Sequence, residues 1–479
     1  MPYSSLLFIL YFLPITAGVY YLLRFSQRFQ NVWLLLASFI FYAWSKPVHI
    51  IFLLVSIAAN YCLGLVIVRR QQKEVSAKPV LTAACVFNLV LLFIYNYLSP
   101  LAAGIGSFFS LDTTAVASIL APLGIVLITM HVISYLVDIY RQDVKMDTNP
   151  VHFALYISFF PLLLGGPILQ YGDVVRQIGH RKTMWGDFSQ GVCRFVVGLG
   201  KIVLIADAMG LIADHVFSLS AMSGSLTSVP AALTWVGLIA FTLQIYHTLS
   251  GYTDIALGLG RMFGFRYKEN FNYPYIALSI TDFWSRWYTS LLSWFHNYVL
   301  DPLTVRNSSH DRLVRNMFLM WMLIGLMFGG GWTFLLWGIL NAALLVFERV
   351  TEFDDLSISR IVRRIYVLVF MMLGWVLFRT ADLYQLSVFV GNFIGANGNG
   401  FFSDTAFMII REYWIVFLAG IVFSTPAAPK LRMLLISKNN GWTRIYTVIY
   451  PLLMGAMLLL ILIFLVRSGY DPFLNDNLL

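Results

Sequence analysis

An ionisable side chain inside an apolar stretch is costly in lipid, so where a chain keeps one it marks a protein interior or a water-filled path. Lys201 and Asp207 stand in GLGKIVLIADAMG, His131 in ITMHVISYLVDIYR, His247 in LQIYHTLSGYTD, and Asp254 closes that last run. Asp138, Arg141, Asp282, Arg286 and His296 lie near segment boundaries. An imidazole titrates near neutrality and suits general-base chemistry. Lys201, Asp207 and Asp254 suit a polar path through an apolar body. Each also has a plainer explanation. A lone His131 reads first as a hydrogen-bonded packing residue, His152 and His180 as boundary or loop residues, and Asp138 with Arg141 as an ion pair at a helix end. No two histidines have metal-ligand spacing on a helix, and no glycine-rich phosphate loop follows a strand. Taken alone, these residues name no reaction.

The elements that must hold them are set by composition. Of 479 residues, 59% are hydrophobic, 16% aromatic and only 11% charged, whereas a soluble chain carries about 25% charged residues. Apolar runs from end to end predict one all-α polytopic membrane domain over 1–479, with the motif-bearing core at about 130–350. The net charge of +9 does not point to nucleic acid, because the basic residues sit in short loops between apolar runs, as lipid orientation requires. Cys62, Cys85 and Cys193 lie in or beside apolar segments without metal-ligand spacing and read as buried small hydrophobes.

The first apolar run, Leu6 to Leu23, has its basic residues after it (Arg24, Arg28). A cleaved signal peptide carries them in front, so a retained span with an outside N-terminus is expected. Further spans are expected near 32–44, 48–68, 79–98, 115–138, 152–170, 192–213 and 229–249. Others follow near 315–328, 332–348, 361–378, 384–396, 408–424 and 446–467; several are shorter than about 17 residues and so tilted, paired or re-entrant, which leaves about eleven to thirteen crossings. No internal repeat is visible.

Two stretches stand apart. From Ser250 to Leu303 aromatic and charged residues alternate, too polar for lipid and too aromatic for a solvated loop. Within it, SITDFWSRW predicts a helix capped by Ser279 or Thr281, with Phe283, Trp287, Leu291, Trp294 and Phe295 on one face. Such an amphipathic helix lies in the interface or lines a cavity. The second stretch, GLMFGGGWTF (325–334), clusters glycines where backbone must bend or approach closely.

In their order, several blocks resemble a known family. These are VISYLVDIYR (132–141), NPVHFALYISFFPLLLGGPILQ (149–170), RFVVGLGKIVLIAD (194–207), LQIYHTLSGYTDIALGLGRMFGFRYKENFNYPY (243–275), SITDFWSRWYTSLLSWFHNYVLDPL (279–303) and GLMFGGGWTFLLWGILNAALLVFER (325–349). The chain is similar to membrane-bound O-acyltransferases of the alginate O-acetyltransferase type, which acylate bacterial cell-envelope polysaccharides. The resemblance implies a ring of tilted helices around a central tunnel in the inner membrane. It also implies an acyl donor such as acyl-CoA as substrate with no bound cofactor, membrane lipid around the body, and an extracytoplasmic acyl-accepting or polysaccharide-modifying protein as partner. Tyr252, Asp254, Asp282, Trp284, Arg286, Trp287, Tyr288, Trp332 and Asn341 would line the tunnel or bind substrate.

The chain departs from the family pattern where chemistry is concentrated. The pattern GLWHGAGWTF places the tunnel histidine at the position of Phe328. The histidine of RWH is Tyr288 here, the one after LLWG is Asn341, and in FDFSGYSD the first Phe is His247 and the Asp is Thr248. The RD after SWF is His296–Asn297, and the GGNR loop is absent around 304–310. Phenylalanine neither accepts a proton nor donates a hydrogen bond, and losing a positioned base removes about 10²–10⁴-fold in rate. Three readings follow. The chain is a degenerate acyltransferase serving polysaccharide modification, an active one using His247 or His296 as base, or a transporter or lipid scramblase on the same scaffold.

Overall fold

A computed structural model describes residues 1–109, 121–221, 229–304, 310–398, 400–437 and 440–467. Every regular element among them is helical, as expected where lipid leaves no other partner for backbone N–H and C=O groups. Eight helices are long and apolar enough to cross a bilayer: His49–Gln72, Lys78–Leu98, Trp185–Leu219, Ala231–Met262, Trp332–Val350, Arg360–Arg379, Asp404–Phe423 and Val448–Arg467. Phe8–Leu22, Pro150–Leu162 and Leu383–Ile394 are shorter apolar helices. The chain is a multi-pass membrane protein.

Several expected boundaries move. The run at 152–170 is not one span: the helix Pro150–Ser158 gives way to a 3-10 turn at Phe160–Leu162. Pro161 in that turn has no N–H to continue the α-helical ladder, and Gly165 beyond it takes φ 146, a backbone state that favours glycine. Conversely, the span expected to stop at 249 runs on to Met262, so the opening of the supposed polar block, SGYTDIALGLG, belongs whole to a 32-residue helix. The start of the span expected at 115–138 and most of the 304–310 loop lie outside the described residues; the helix there is Ile125–Arg141.

The contacts divide the chain into two compact units. The first comprises Met1–Phe195, Ile255–Lys268 and His296–Tyr298. The Tyr20 hydroxyl donates to the Phe263 carbonyl at 2.7 Å. Arg181 donates to Asn31 Oδ1 at 2.6 Å while its guanidinium lies 4.5 Å over the Phe265 ring. His131 is the packing residue its setting suggested: Nε2 accepts from the Leu169 N–H at 3.1 Å, and Tyr156 bonds the carbonyls of both residues. Asp138 and Arg141 form no ion pair. Asp138 accepts from the Tyr298 hydroxyl at 2.6 Å, and Arg141 lies over the Tyr298 ring and donates to the Asn297 carbonyl. The phenol satisfies the buried carboxylate without taking a second charge out of water. His152 bonds Asp147 at 2.6 Å, and His180 caps the helix Tyr171–Gly179. The three cysteines are free, and none is buried; Cys62 is exposed on an apolar helix, where a small thiol is compatible with lipid.

The second unit comprises Val196–Asp254, Glu269–Phe295 and Val299–Leu479. It carries every candidate site residue except His296.

Candidate functional site

The glycine-rich stretch is a helical hairpin. The helix His310–Phe328 ends at Phe328, and the next, Trp332–Val350, starts three glycines later. A Cβ on Gly325 would collide with the Phe334 carbonyl, one on Gly338 with the Trp321 carbonyl, and one on Gly329 with the Phe334 ring. The glycines therefore let the two backbones touch, as their clustering predicted.

Aromatic rings fill the hairpin's inner side. Phe328 meets Trp337 edge-on at 5.9 Å and Phe378 at 5.3 Å. Trp337 continues to Trp284 at 5.7 Å and Trp321 at 6.0 Å. Trp287 joins through Trp375 at 5.0 Å, and Trp375 reaches Phe378 at 6.0 Å. Edge-to-face pairs at these spacings each add about 0.5–1.5 kcal/mol beyond area burial. Phe328 is one ring of this packed cluster, and the partners it meets edge-on there are rings.

The short helix Ile280–Arg286 is clamped antiparallel along Trp332–Val350 at two points. Ser279 caps it from within, accepting the Asp282 N–H at 3.1 Å. Glu348, only 5% exposed, accepts the N–H groups of Ile280 and Thr281 and the Thr281 hydroxyl, the last two at 2.8 and 2.7 Å. Carboxylates at a helix N-terminus satisfy otherwise orphaned donors and complement the dipole. At the other point the Trp284 indole N–H donates to Asn341 Oδ1 at 2.9 Å, while Asn341 Nδ2 donates to the Trp337 carbonyl. Asn341 and Glu348 are seven residues apart and so share a helix face. Glu348 was missed from sequence; the signal available was a lone acid one heptad after Asn341 at the end of an apolar run.

The single amphipathic helix expected over 279–295 is two helices, Ile280–Arg286 and Thr289–Phe295. The break falls at Tyr288, whose φ is 43, a left-handed state that no continuing helix of L-residues tolerates. Phe283, Trp287, Leu291, Trp294 and Phe295 are nonetheless all buried. The Tyr288 ring meets Phe271 at 5.7 Å, and desolvation raises its phenol, which stays protonated. Arg286 pairs with Asp282 at 2.6 Å, both about 30% exposed. Trp332 is 72% exposed and takes no part in the cluster.

A second group lies on other helices of the same unit. His247 is fully buried, with Nε2 2.9 Å from the Gly420 carbonyl and 3.3 Å from Ser424 Oγ. Two turns on, Asp254 accepts from Lys201 at 2.6 Å. Lys201 opens a π-helical turn, Lys201–Ala206, inside the Trp185–Leu219 span, a distortion common at functional sites. Tyr252 and Asp207 are buried as well. His296 belongs to the first unit and is exposed on its own π-helical turn. Among the described residues no three His, Cys, Asp or Glu side chains converge to hold a metal ion.

The pattern of the membrane-bound O-acyltransferase family matches residues 123–377, which contain the hairpin, the aromatic cluster up to Trp375 and the Lys201–Asp254 pair. The protein named "Probable alginate O-acetylase AlgI" of Azotobacter vinelandii is 38% identical over 388 residues, 80% of this chain and 76% of that relative. The peptidoglycan O-acetyltransferase of Helicobacter pylori is 29% identical over 430 residues, 83% and 80% of the two chains. The teichoic acid D-alanyltransferase of Bacillus subtilis is 28% identical over 217 residues, 43% and 53%. On this evidence the chain belongs to the membrane-bound O-acyltransferase family and, within it, is of the alginate O-acetyltransferase type.

Proposed function

We propose that this protein serves the O-acylation, in the first place O-acetylation, of a cell-envelope or extracellular polysaccharide from the bacterial inner membrane, as a member that has lost the family's tunnel base. Alginate, peptidoglycan and teichoic acid, in the names of its relatives, support a glycan-type acceptor. The family supports an acyl donor as the other substrate. The observation that carries the loss of the base is the setting of Phe328, whose ring is packed edge-on between Trp337 and Phe378. Tyr288 and Asn341, at the other two family histidine positions, are likewise committed to packing against Phe271 and to bonding Trp284. The protein's part is then to hold donor, acceptor or an extracytoplasmic partner in the membrane while another protein supplies the chemistry. The N-terminus faces outside in this reading.

Two experiments test it separately. Deleting the gene is expected to lower the O-acyl content of the host's envelope or secreted polysaccharide, read by NMR of the isolated glycan; unchanged acylation would sink the pathway assignment. Purified full-length protein given radiolabelled acetyl-CoA and that polysaccharide is expected to transfer no label above a protein-free control. Transfer that disappears in His247→Ala or His296→Ala would instead establish an active enzyme with a relocated base.

A further inference from the structure

The buried polar residues around His247 make demands that the protein does not itself meet. The Gly420 carbonyl can only accept, so the contact at 2.9 Å requires His247 Nε2 to carry the ring proton. Ser424 Oγ, which donates to the same carbonyl at 2.7 Å, reinforces that arrangement. The other nitrogen, Nδ1, is then a bare lone pair, and it is buried without a hydrogen-bond partner among the described residues. Gln244 Oε1 and Thr248 Oγ1 are buried and unpartnered in the same way. Residues 244, 247 and 248 fall at i, i+3 and i+4, on one face of one helical turn. Gln244 is 1% exposed, His247 0% and Thr248 2%.

An unsatisfied buried polar group costs about 1–3 kcal/mol, and two bare acceptors beside a hydroxyl that can both donate and accept call for a shared partner between them. A cation is a poor fit, because among the described residues the charge felt at the His247 ring is the Lys201 ammonium, itself paired with Asp254. A neutral donor that can also accept is water, which needs two to four polar partners to be held in a protein interior. The neighbouring helices enclose the place. Gly251, one turn further along, abuts the Gly198 carbonyl and Ile202, and Gly420 abuts Leu243 and Ile205.

We propose that Gln244, His247 and Thr248 bind internal water within the membrane span, with His247 Nδ1 as the site's proton acceptor. This gives the chain a water-linked imidazole where the helices Ala231–Met262 and Asp404–Phe423 meet, on elements other than the hairpin that carries Phe328. The proposal does not rest on the loss of acyl transfer.

Magic-angle-spinning NMR of the full-length protein in bilayers, with 15N,13C-labelled histidine, tests it. The His247 signals are identified by their loss in His247→Phe, or in His247→Asn should the first fail to fold. The expected result is one protonated ring nitrogen (Nε2), one bare nitrogen (Nδ1), and magnetisation transfer from water to the ring. In Gln244→Leu/Thr248→Val, which keeps the imidazole, that water transfer is lost while the signal of exposed His296 keeps its own. A proton on Nδ1 in the wild type, or no water transfer to His247 where His296 shows it, overturns the proposal.

Discussion

The hairpin cluster and the His247 region belong to the same unit, yet they are built on different terms. Around Phe328, Trp284, Trp321, Trp337 and Trp375 the contents are rings, and the polar atoms that tie the hairpin to the short helix are paired by Asn341 and Glu348. The buried atoms there without a partner among the described residues are donors, the indole N–H groups of Trp321 and Trp337. Around His247 the contents are an ion pair, an imidazole and unpartnered acceptors lying along one long helix. The resemblance implies the reverse, a histidine at 328 and a phenylalanine at 247. The comparison teaches that the hairpin's backbone contacts rest on its glycines and not on the side chain proposed to have replaced the base. The glycines at 325, 329 and 338 hold the hairpin together whichever side chain stands at 328.

Substitutions should separate the two regions by how much each depends on pairing. The largest effect is expected from Lys201→Met, which takes the ammonium from the Asp254 carboxylate and costs about 3 kcal/mol. Adding Asp254→Asn should recover most of that loss in the midpoint of unfolding in detergent. No recovery would mean that the pair is not what holds these helices together. Glu348→Ala comes next: with two backbone N–H groups and a hydroxyl left unmet, about 3 kcal/mol should go, and Glu348→Gln should lose less.

Within the cluster, Asn341→Leu leaves the Trp284 N–H without its acceptor and should cost about 2 kcal/mol, with a shift in tryptophan fluorescence reporting the same site. Phe328→Leu nearly conserves volume and should cost no more than about 1.5 kcal/mol. A much larger loss of stability, or any change in a transfer assay, would show that position 328 does more than pack. The smallest effect belongs to the i,i+4 pair Asp282–Arg286, where Asp282→Asn should change the unfolding midpoint by about 0.3–0.5 kcal/mol.

The membrane class, the helical content and the hairpin were legible because each rests on local signals. Apolar length marks a span, clustered glycine marks close backbone approach, and Ser279 sits where an N-cap must. The resemblance also singled out positions 247, 288, 328 and 341, on which the proposed loss of the base turns. Continuity of the chain was less so. Pro161 ended a run that hydropathy alone carried to 170, and a left-handed Tyr288 cut a helix whose apolar periodicity continues unbroken through the cut. Periodicity records which residues are buried, and two short helices packed on one wall bury the same residues as one long helix.

What the sequence determined by itself, then, was a helical membrane chain with its chemistry-bearing residues on named segments, because lipid permits few backbone solutions and charges inside it are rare enough to notice. Only the tertiary structure decided their partners. Asp138 took a phenol instead of Arg141, Glu348 became the clamp of a helix 68 residues before it, and His247 received a carbonyl that fixes which of its nitrogens is bare. A hydrogen bond is made across space by groups far apart in the chain, and neither composition nor spacing contains the distance.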